Sequence, residues 1–527
     1  MYMPLPEKPR VREQMKGNAM ANPLYDGLFG RHAGKTTPFL YLLDGSTITH
    51  QDFLSRAAQI ANVMLQLNLK PGDRVAAQIE KSPEALALYA ACAQAGLVFL
   101  PLNTAYTIDE LAYFIENSGA SLIVCEGRNQ AALAPLAGRL GAKIETLNAD
   151  GSGSLNAKMQ KMPILFPTVA RSENDLAALL YTSGTTGRSK GAMLTQKNLL
   201  SNALALVEAW QFTADDILLH ALPIFHTHGL FVATNVSLIS GGSLIFLPKF
   251  DLDAIVKYMP KATSLMGVPT FYARFLDDPR FTATSTVHMR LFISGSAPLL
   301  AEIHSRFEAR TGHRILERYG MTETNMNTSN PYEGDRRAGS VGLPLPGVEV
   351  RICDADGYAL PQGEIGEVEV RGANVFQGYW QMPEKTAAEL RESGFFITGD
   401  LGRIDEDGYL HIVGRNKDLI ISGGYNIYPK EIELVLDDQY GVLESAVIGV
   451  PHPDFGETVL GFIVAKPGQS PDLDTIMNVI RGALASFKHP RKLILLDELP
   501  RNTMGKVQKN ILRGQYRDVF ALSWSTL

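Results

Sequence analysis

The chain has 527 residues, 45% of them hydrophobic and 20% charged, with a formal net charge of -6. These proportions exclude a disordered or fibrous protein and suit three or four packed units of about 150 residues each; the acidic balance provides no general basic field for nucleic acid. Cys92, Cys125 and Cys353 stand far apart, which implies buried thiols in a reducing compartment and no disulfide framework.

Residues 1–22 mix Pro, Lys, Arg and Glu without an apolar stretch of signal-peptide length. No later run reaches the roughly 18 apolar residues of a membrane span, so a cytoplasmic location is expected, with residues 1–34 as an N-terminal extension. From residue 38 the pattern alternates. A strand over 39–43 leads to Thr49-His50-Gln51-Asp52, a capping-box start for a helix whose apolar face is Phe53, Ala57, Ile60, Ala61, Met64 and Leu67. Strands follow over 75–79, 98–102 and 121–125, with helices over 83–95 and 108–116. Alternation of this kind predicts parallel α/β layers with both sheet faces covered.

A short apolar run, 176–180, precedes Tyr181-Thr-Ser-Gly-Thr-Thr-Gly-Arg-Ser-Lys190-Gly191, and a helix is expected over 194–207. Thr182, Ser183, Gly184, Thr185, Thr186 and Gly187 offer small hydroxyls and backbone N–H groups, and Arg188 and Lys190 add positive charge, which is chemistry for holding a polyphosphate. The lysine and hydroxyl of a Walker A loop are absent at the required spacing, so this is a phosphate loop of another kind. The strand and helix alternation resumes over 217–267 and reaches a strand at 291–295. After residue 344, alternating Val, Ile and Glu with frequent Gly predict an antiparallel β subdomain to about 414, and residues 415–527 form a small mixed unit. The fold class is α/β: a large N-terminal domain (35–414) of layered α/β subdomains plus the β subdomain, and a small C-terminal α+β domain.

Besides the phosphate loop, the ordered set Arg318-Tyr-Gly-Met-Thr-Glu323, Thr398-Gly-Asp400, Gly414-Arg415 with Lys417-Asp418, and Asn502-Thr-Met-Gly-Lys506 resembles the adenylate-forming superfamily of acyl-CoA synthetases, luciferases and adenylation domains, from about residue 35 onward. The resemblance implies a two-step reaction. A carboxylate attacks the α-phosphate of ATP, releasing pyrophosphate, and the CoA thiol then displaces AMP. It assigns Asp400 to the ribose hydroxyls with Arg415 beside it, Glu323 to Mg²⁺, and Thr322 to the α-phosphate. Gly295, Ser296, Ala297, Glu317, Tyr319 and Gly320 would hold the adenine side of the nucleotide. Lys506 would reach the α-phosphate and the attacking carboxylate, where fixed positive charge stabilises the first step. Lys417 stands at the family's hinge, which makes the small domain mobile and would bring Ser422, Gly423 and Gly424 to CoA. A lysine acetylase or deacetylase acting on Lys506 would be a candidate partner, since acetylation removes that charge.

The acid pocket is assigned to His226, His228, Arg274, Ser296, Arg318 and Met321. Two guanidinium groups near one pocket need anionic partners, and a second carboxylate on the substrate would supply one. Within the superfamily the resemblance is greatest to malonyl-CoA synthetases, with Arg274, Ser296 and Arg318 on the distal carboxylate of malonate or methylmalonate. Each arginine could instead pair with a protein carboxylate such as Glu317 or Glu323. Another short or aryl acid, loading of a separate carrier protein, and a non-catalytic nucleotide-binding homologue stand as alternatives. The last is disfavoured by the presence of Lys506, Asp400 and Glu323 together.

Overall fold

Helices in the N-terminal part begin and end where their capping residues stand. Thr49 and Asp52 close a capping box on the helix His50–Gln66, and Thr107 with Glu110 does the same for Ile108–Ser118. Ser82 and Pro83 open Pro83–Ala95, which ends on Gly96 at a φ of 69°. The side-chain oxygens take up N–H groups that the first turn leaves without partners, and the left-handed end falls to glycine. The computed structural model describes residues 21–182, 189–422, 425–452, 455–502 and 505–520.

Among these residues the strands form layered sheets of mixed α/β architecture. One six-stranded sheet runs in the order Lys143–Thr146, Leu122–Cys125, Arg74–Gln78, Val98–Pro101, Leu176–Thr182, Lys190–Thr195, parallel except for the last pair. A nine-stranded sheet has Ile217–His220, Ser264–Gly267, Leu291–Ser294 and Leu316–Met321 as parallel neighbours at its middle. Central strands such as Leu122–Cys125 and Ser264–Gly267 are buried along their whole length, as expected where both sheet faces are covered. Beyond residue 347 a four-stranded sheet (348–353, 366–372, 396–404, 410–415), its last two strands antiparallel, precedes the C-terminal sheet built on the hairpin Val442–His452 and Gly456–Ala465.

The chain divides into two compact units, Met1–Glu349 with Val370–Phe396, and Val350–Glu369 with Ile397–Leu527. This division groups most of the four-stranded sheet with the C-terminal residues, whereas the sequence places a boundary at 414/415. Residues 23–32, expected in an extension, are ordered: Asn22 caps the helix Pro23–Leu28 and donates to the carbonyls of Ala93 and Val169. Leu24, Leu28 and Phe29 are fully buried.

The segment after the phosphate loop also differs from expectation. Lys190–Thr195 is a strand, antiparallel to Leu176–Thr182 with Thr182 opposite Lys190, and the helix begins only at Gln196, behind the N-cap Thr195. The loop therefore joins two strands of a ladder and does not lead straight into a helix N-terminus. Thr195 decides the boundary, because its hydroxyl accepts from the Asn198 N–H while the Asn198 side chain accepts from the N–H of Thr195.

His32 and His50 stack in the N-terminal core with ring centroids 4.4 Å apart. Burial, and then the neighbouring His50, lowers His32 to about 3; burial, and then Lys35, lowers His50 to about 4, from 6.5 in each case. A depressed folded value means that the unfolded chain takes up the proton first. The stabilisation is complete above pH 6.5 and is lost as pH falls toward 4. The urea midpoint should drop between pH 6.5 and 4.5 by an amount worth on the order of 2–3 kcal/mol, and His50→Gln should flatten that drop. An unchanged slope in the variant would show that these rings are not the acid-sensitive element.

Candidate active site

Four adjacent parallel strands aim their carboxyl ends at one region of the first unit. Ile217–His220 leads to His226 and His228, and Ser264–Gly267 to the helix Pro269–Asp277 that bears Arg274. Leu291–Ser294 leads to Gly295, Ser296 and Ala297, and Leu316–Met321 to Thr322 and Glu323. Ligands of open α/β sheets bind beyond such carboxyl ends.

His228 is buried, its Nδ1 lying 3.1 Å from the Ser296 hydroxyl, and its N–H donates to Nδ1 of His226 at 3.3 Å. Burial, and then Arg318, His226 and His220, pushes its pKa well down, so the ring is neutral. Ser296 holds a φ of 72°, an uncommon backbone state for a residue with a side chain. Arg318 is only 4% exposed, and its Nε and Nη2 have no hydrogen-bond partner among the described residues. Burial lowers its pKa to about 9, with Tyr272 acting the other way. The guanidinium lies over Gly295, where a Cβ would sit 2.6 Å from Nε and from Nη1; glycine is what admits the arginine. Glu317 is occupied elsewhere, accepting from the Leu299 N–H at 3.1 Å. The structure thus gathers His226, His228, Ser296 and Arg318.

Arg274 is placed differently. It is exposed, with its guanidinium over the Phe250 ring at 5.1 Å. Met321 and Tyr319 are half-buried on the Arg318 strand, and Gly320 is required there because a Cβ would collide with the Asn325 carbonyl.

The loop carrying the two histidines is anchored from below by Lys81. Its buried ammonium donates to His220 Nδ1 (2.8 Å) and to the carbonyls of His220 (2.8 Å) and Leu222 (3.0 Å), with the Phe246 ring 4.4 Å away. The Nε2 of His220 then donates to the Gly229 carbonyl at 2.8 Å. Three acceptors match the three donors of an ammonium, offsetting much of the cost of burying it. Residues His228–Thr234 form a widened π-helical turn that continues as the helix Asn235–Ser240, where the sequence suggests one plain helix over 230–238.

Glu323 is buried and accepts from the Tyr379 hydroxyl at 3.0 Å; that hydroxyl also lies 2.7 Å from Glu389. Lys190 Nζ lies 3.2 Å from the Tyr379 hydroxyl and 3.3 Å from Glu389. Thr182 closes the strand pair with its hydroxyl 3.5 Å from the Lys190 carbonyl. A single buried carboxylate of this kind suits Mg²⁺, which binds through one or two carboxylates and takes its other ligands from phosphates and water. Ser183, Gly184, Thr185, Thr186 and Gly187 lie outside the described residues, as do Gly423 and Gly424.

The second unit brings together Asp400, Arg415, Lys417 and Lys506. Arg415 Nε pairs with Asp400 at 2.6 Å, across the antiparallel register that sets these two residues opposite each other. Asn502 and Lys506 are bonded to each other: the Asn502 N–H donates to the Lys506 carbonyl (3.0 Å), and the Lys506 N–H donates to the Asn502 side chain (2.9 Å). Loss of hydration, and then Arg415, lowers the Lys506 ammonium to about 8; Lys417 acts with Arg415, and Asp400 and Asp418 against them. Water still reaches part of this side chain. Lys417 lies in the short turn Asn416–Asp418, and Ser422 ends the strand Ile420–Ser422.

Sequence reasoning missed Tyr379, Glu389, Lys81 and Thr227. Thr227 stands between the two histidines, buried, with a hydroxyl that has no partner among the described residues. The only written cue was its place within His226-Thr-His228.

The α/β layers and these clustered motif residues define a nucleotide-handling enzyme, and the chain belongs to the AMP-binding enzyme family, matching it over residues 30–380 and its C-terminal domain over residues 431–506. Among solved structures it is similar to ATP-bound MatB from Rhodopseudomonas palustris, at 56% identity and a TM-score of 0.93 over 95% of this chain and 100% of that one. It is 36% identical to a feruloyl-CoA synthase from an Amycolatopsis species over 90% of this chain and 94% of that protein. A malonate–CoA ligase from Arabidopsis thaliana is 35% identical, over 79% of this chain and 74% of that one. Among the described residues no helix is long and apolar enough to cross a membrane.

Proposed function

We propose that this chain is an ATP-dependent malonate–CoA ligase that also accepts methylmalonate. The observation that carries the reading is Arg318, buried with two nitrogens lacking partners, beside Ser296 and a neutral His228. A buried guanidinium without an anion costs several kcal/mol, about 3–5 when a paired partner is removed. A substrate carboxylate offsets that cost. A monocarboxylic acid uses its only carboxylate to attack phosphorus, so an anion at Arg318 points to a second carboxylate. The relatives named malonate–CoA ligase support this choice, and Arg274, exposed on the helix that follows Ser264–Gly267, would meet the acid on entry.

In the first step a carboxylate oxygen bonds to the α-phosphorus of ATP and the bond to pyrophosphate breaks. Lys506, with Thr322, would hold the charge that gathers on the α-phosphate. Asp400 would accept the ribose hydroxyls, with Arg415 fixing its orientation, and Tyr319, Gly295 and Ala297 would flank the adenine. Mg²⁺, held by Glu323, would supply charge neutralisation at the phosphates. In the second step the CoA sulfur bonds to the acyl carbon, the thiol proton leaves to solvent, and AMP departs; Ser422 and the two glycines after it would lie along the pantetheine arm.

The test is pyrophosphate release with ATP and Mg²⁺ across malonate, methylmalonate, succinate, acetate, butyrate and benzoate, each with and without CoA. Turnover confined to the first two is expected. Preference for a monocarboxylate would keep the adenylating chemistry and overturn the choice of acid.

A further inference from the structure

Lys190 is held by side chains of its own unit. Its Nζ lies 3.4 and 3.3 Å from the two carboxylate oxygens of Glu389, 3.2 Å from the Tyr379 hydroxyl and 4.3 Å above the Tyr379 ring. The backbone sets this arrangement: residues 377–380 run along the strand Lys190–Thr195, with the Trp380 N–H donating to the Gly191 carbonyl (2.7 Å) and the Met193 N–H to that of Gly378 (2.9 Å). We infer that Glu389 is a positioning residue for adenylation, fixing the Lys190 ammonium against Tyr379 for the β- and γ-phosphates of ATP. The inference rests on the adenylating activity proposed above and on the assignment of Lys190, from the sequence, to a loop that holds a polyphosphate.

A free lysine loses up to about 2 kcal/mol of rotamer freedom when a ligand immobilises it. A lysine already fixed by an ion pair and an aromatic face avoids that loss at the moment of binding. The carboxylate is suited to this. Burial raises its pKa, but Lys385, at 2.6 Å, together with the Tyr379 hydroxyl and then Lys190, brings it below the ordinary value, so it stays ionised. The hydroxyl has one proton and two carboxylate neighbours, Glu323 Oε1 and Glu389 Oε2, so it donates to only one at a time. Glu389 and the carboxylate suited to Mg²⁺ are thereby joined through a single proton.

The experiment measures KM for ATP, KM for malonate and kcat of pyrophosphate release in wild type, Glu389→Ala, Glu389→Gln, Lys190→Ala and the double variant Lys190→Ala/Glu389→Ala. Glu389→Ala should raise KM for ATP about five- to tenfold, with KM for malonate within twofold, and Glu389→Gln should fall between it and wild type. In the Lys190→Ala background, loss of Glu389 should add nothing. Additive losses, or a lower melting temperature with KM for ATP unchanged, would overturn the inference, and Glu389→Gln decides the matter if the alanine variant does not fold. A wild type that releases no pyrophosphate with any acid would remove the functional reading and this inference with it. Wild type and Lys190→Ala behaving as proposed, with both Glu389 variants like wild type, would remove the inference alone.

Discussion

Arg318→Ala is expected to lower kcat/KM for malonate by about two to three orders of magnitude while KM for ATP stays within a few-fold, because breaking a buried charge pair costs about 3–5 kcal/mol. The same change should leave the melting temperature of the ligand-free protein unchanged or raised, since it removes a buried cation whose Nε and Nη2 lack partners. The two readouts move in opposite senses only if the missing partner is the substrate. Arg318→Lys should not rescue, because a point charge on a flexible stem cannot reproduce two parallel N–H bonds to a carboxylate. Butyrate, nearly inert on wild type, should gain relative to malonate once the guanidinium is gone. Malonate turnover retained within threefold, or a substantial fall in melting temperature, would make Arg318 a structural residue.

Lys506→Ala should reduce adenylation by at least about 10²–10³, the loss seen when one preorganised donor to a developing oxyanion is removed. Supplying the acyl-adenylate directly and following thioester formation should bypass the defect, since no phosphorus bond is made in that half. Because the ammonium of the free enzyme lies at about 8, kcat/KM for ATP should fall as pH rises through that value: the protonated form is the active one, and it is lost on the alkaline side. Lys506→Arg should shift the fall to higher pH even where its absolute rate is lower. Equal losses in both half-reactions would instead point to a general disturbance of the second unit.

Elements bounded by strong local signals were legible in the sequence. Pro83–Ala95 has the ends that the sequence suggests, because Ser82 caps it, Pro83 opens it and Gly96 stops it. Helix Gly127–Leu140 escaped, with Gly127, Pro135 and Gly138 breaking its apolar period. The strand Lys190–Thr195 escaped because Leu194 begins an apolar run that reads as helix, whereas pairing with Leu176–Thr182 holds it extended as far as Thr195. At the site, residues within motifs were found, Thr227 excepted, and residues acting from elsewhere in the chain were not. Lys81 is 139 positions from His220, and Tyr379 is 189 from Lys190; no spacing rule joins such pairs. Arg274 and Arg318 look alike in one dimension. Burial separates them: Gly295 makes room for the Arg318 guanidinium, and Arg274 rests on Phe250 at the surface.

The anchoring of residues 220–229 by Lys81 bears on how readily such a protein can change what it accepts. On the proposed function, support and selectivity reside in different atoms. The loop is fixed through main-chain carbonyls, the His220 ring and the close approach of Gly229 to Pro223, none of which depends on the side chains at 226, 227 or 228. Substitutions there, or at Ser296 and Arg318, can rewrite chemical preference while the foundation stays intact. Sequence relatives with names as different as feruloyl-CoA synthase and malonate–CoA ligase are what such a separation would permit. Lys81 is by the same logic a poor place to vary, since its loss would strand three buried acceptors at once.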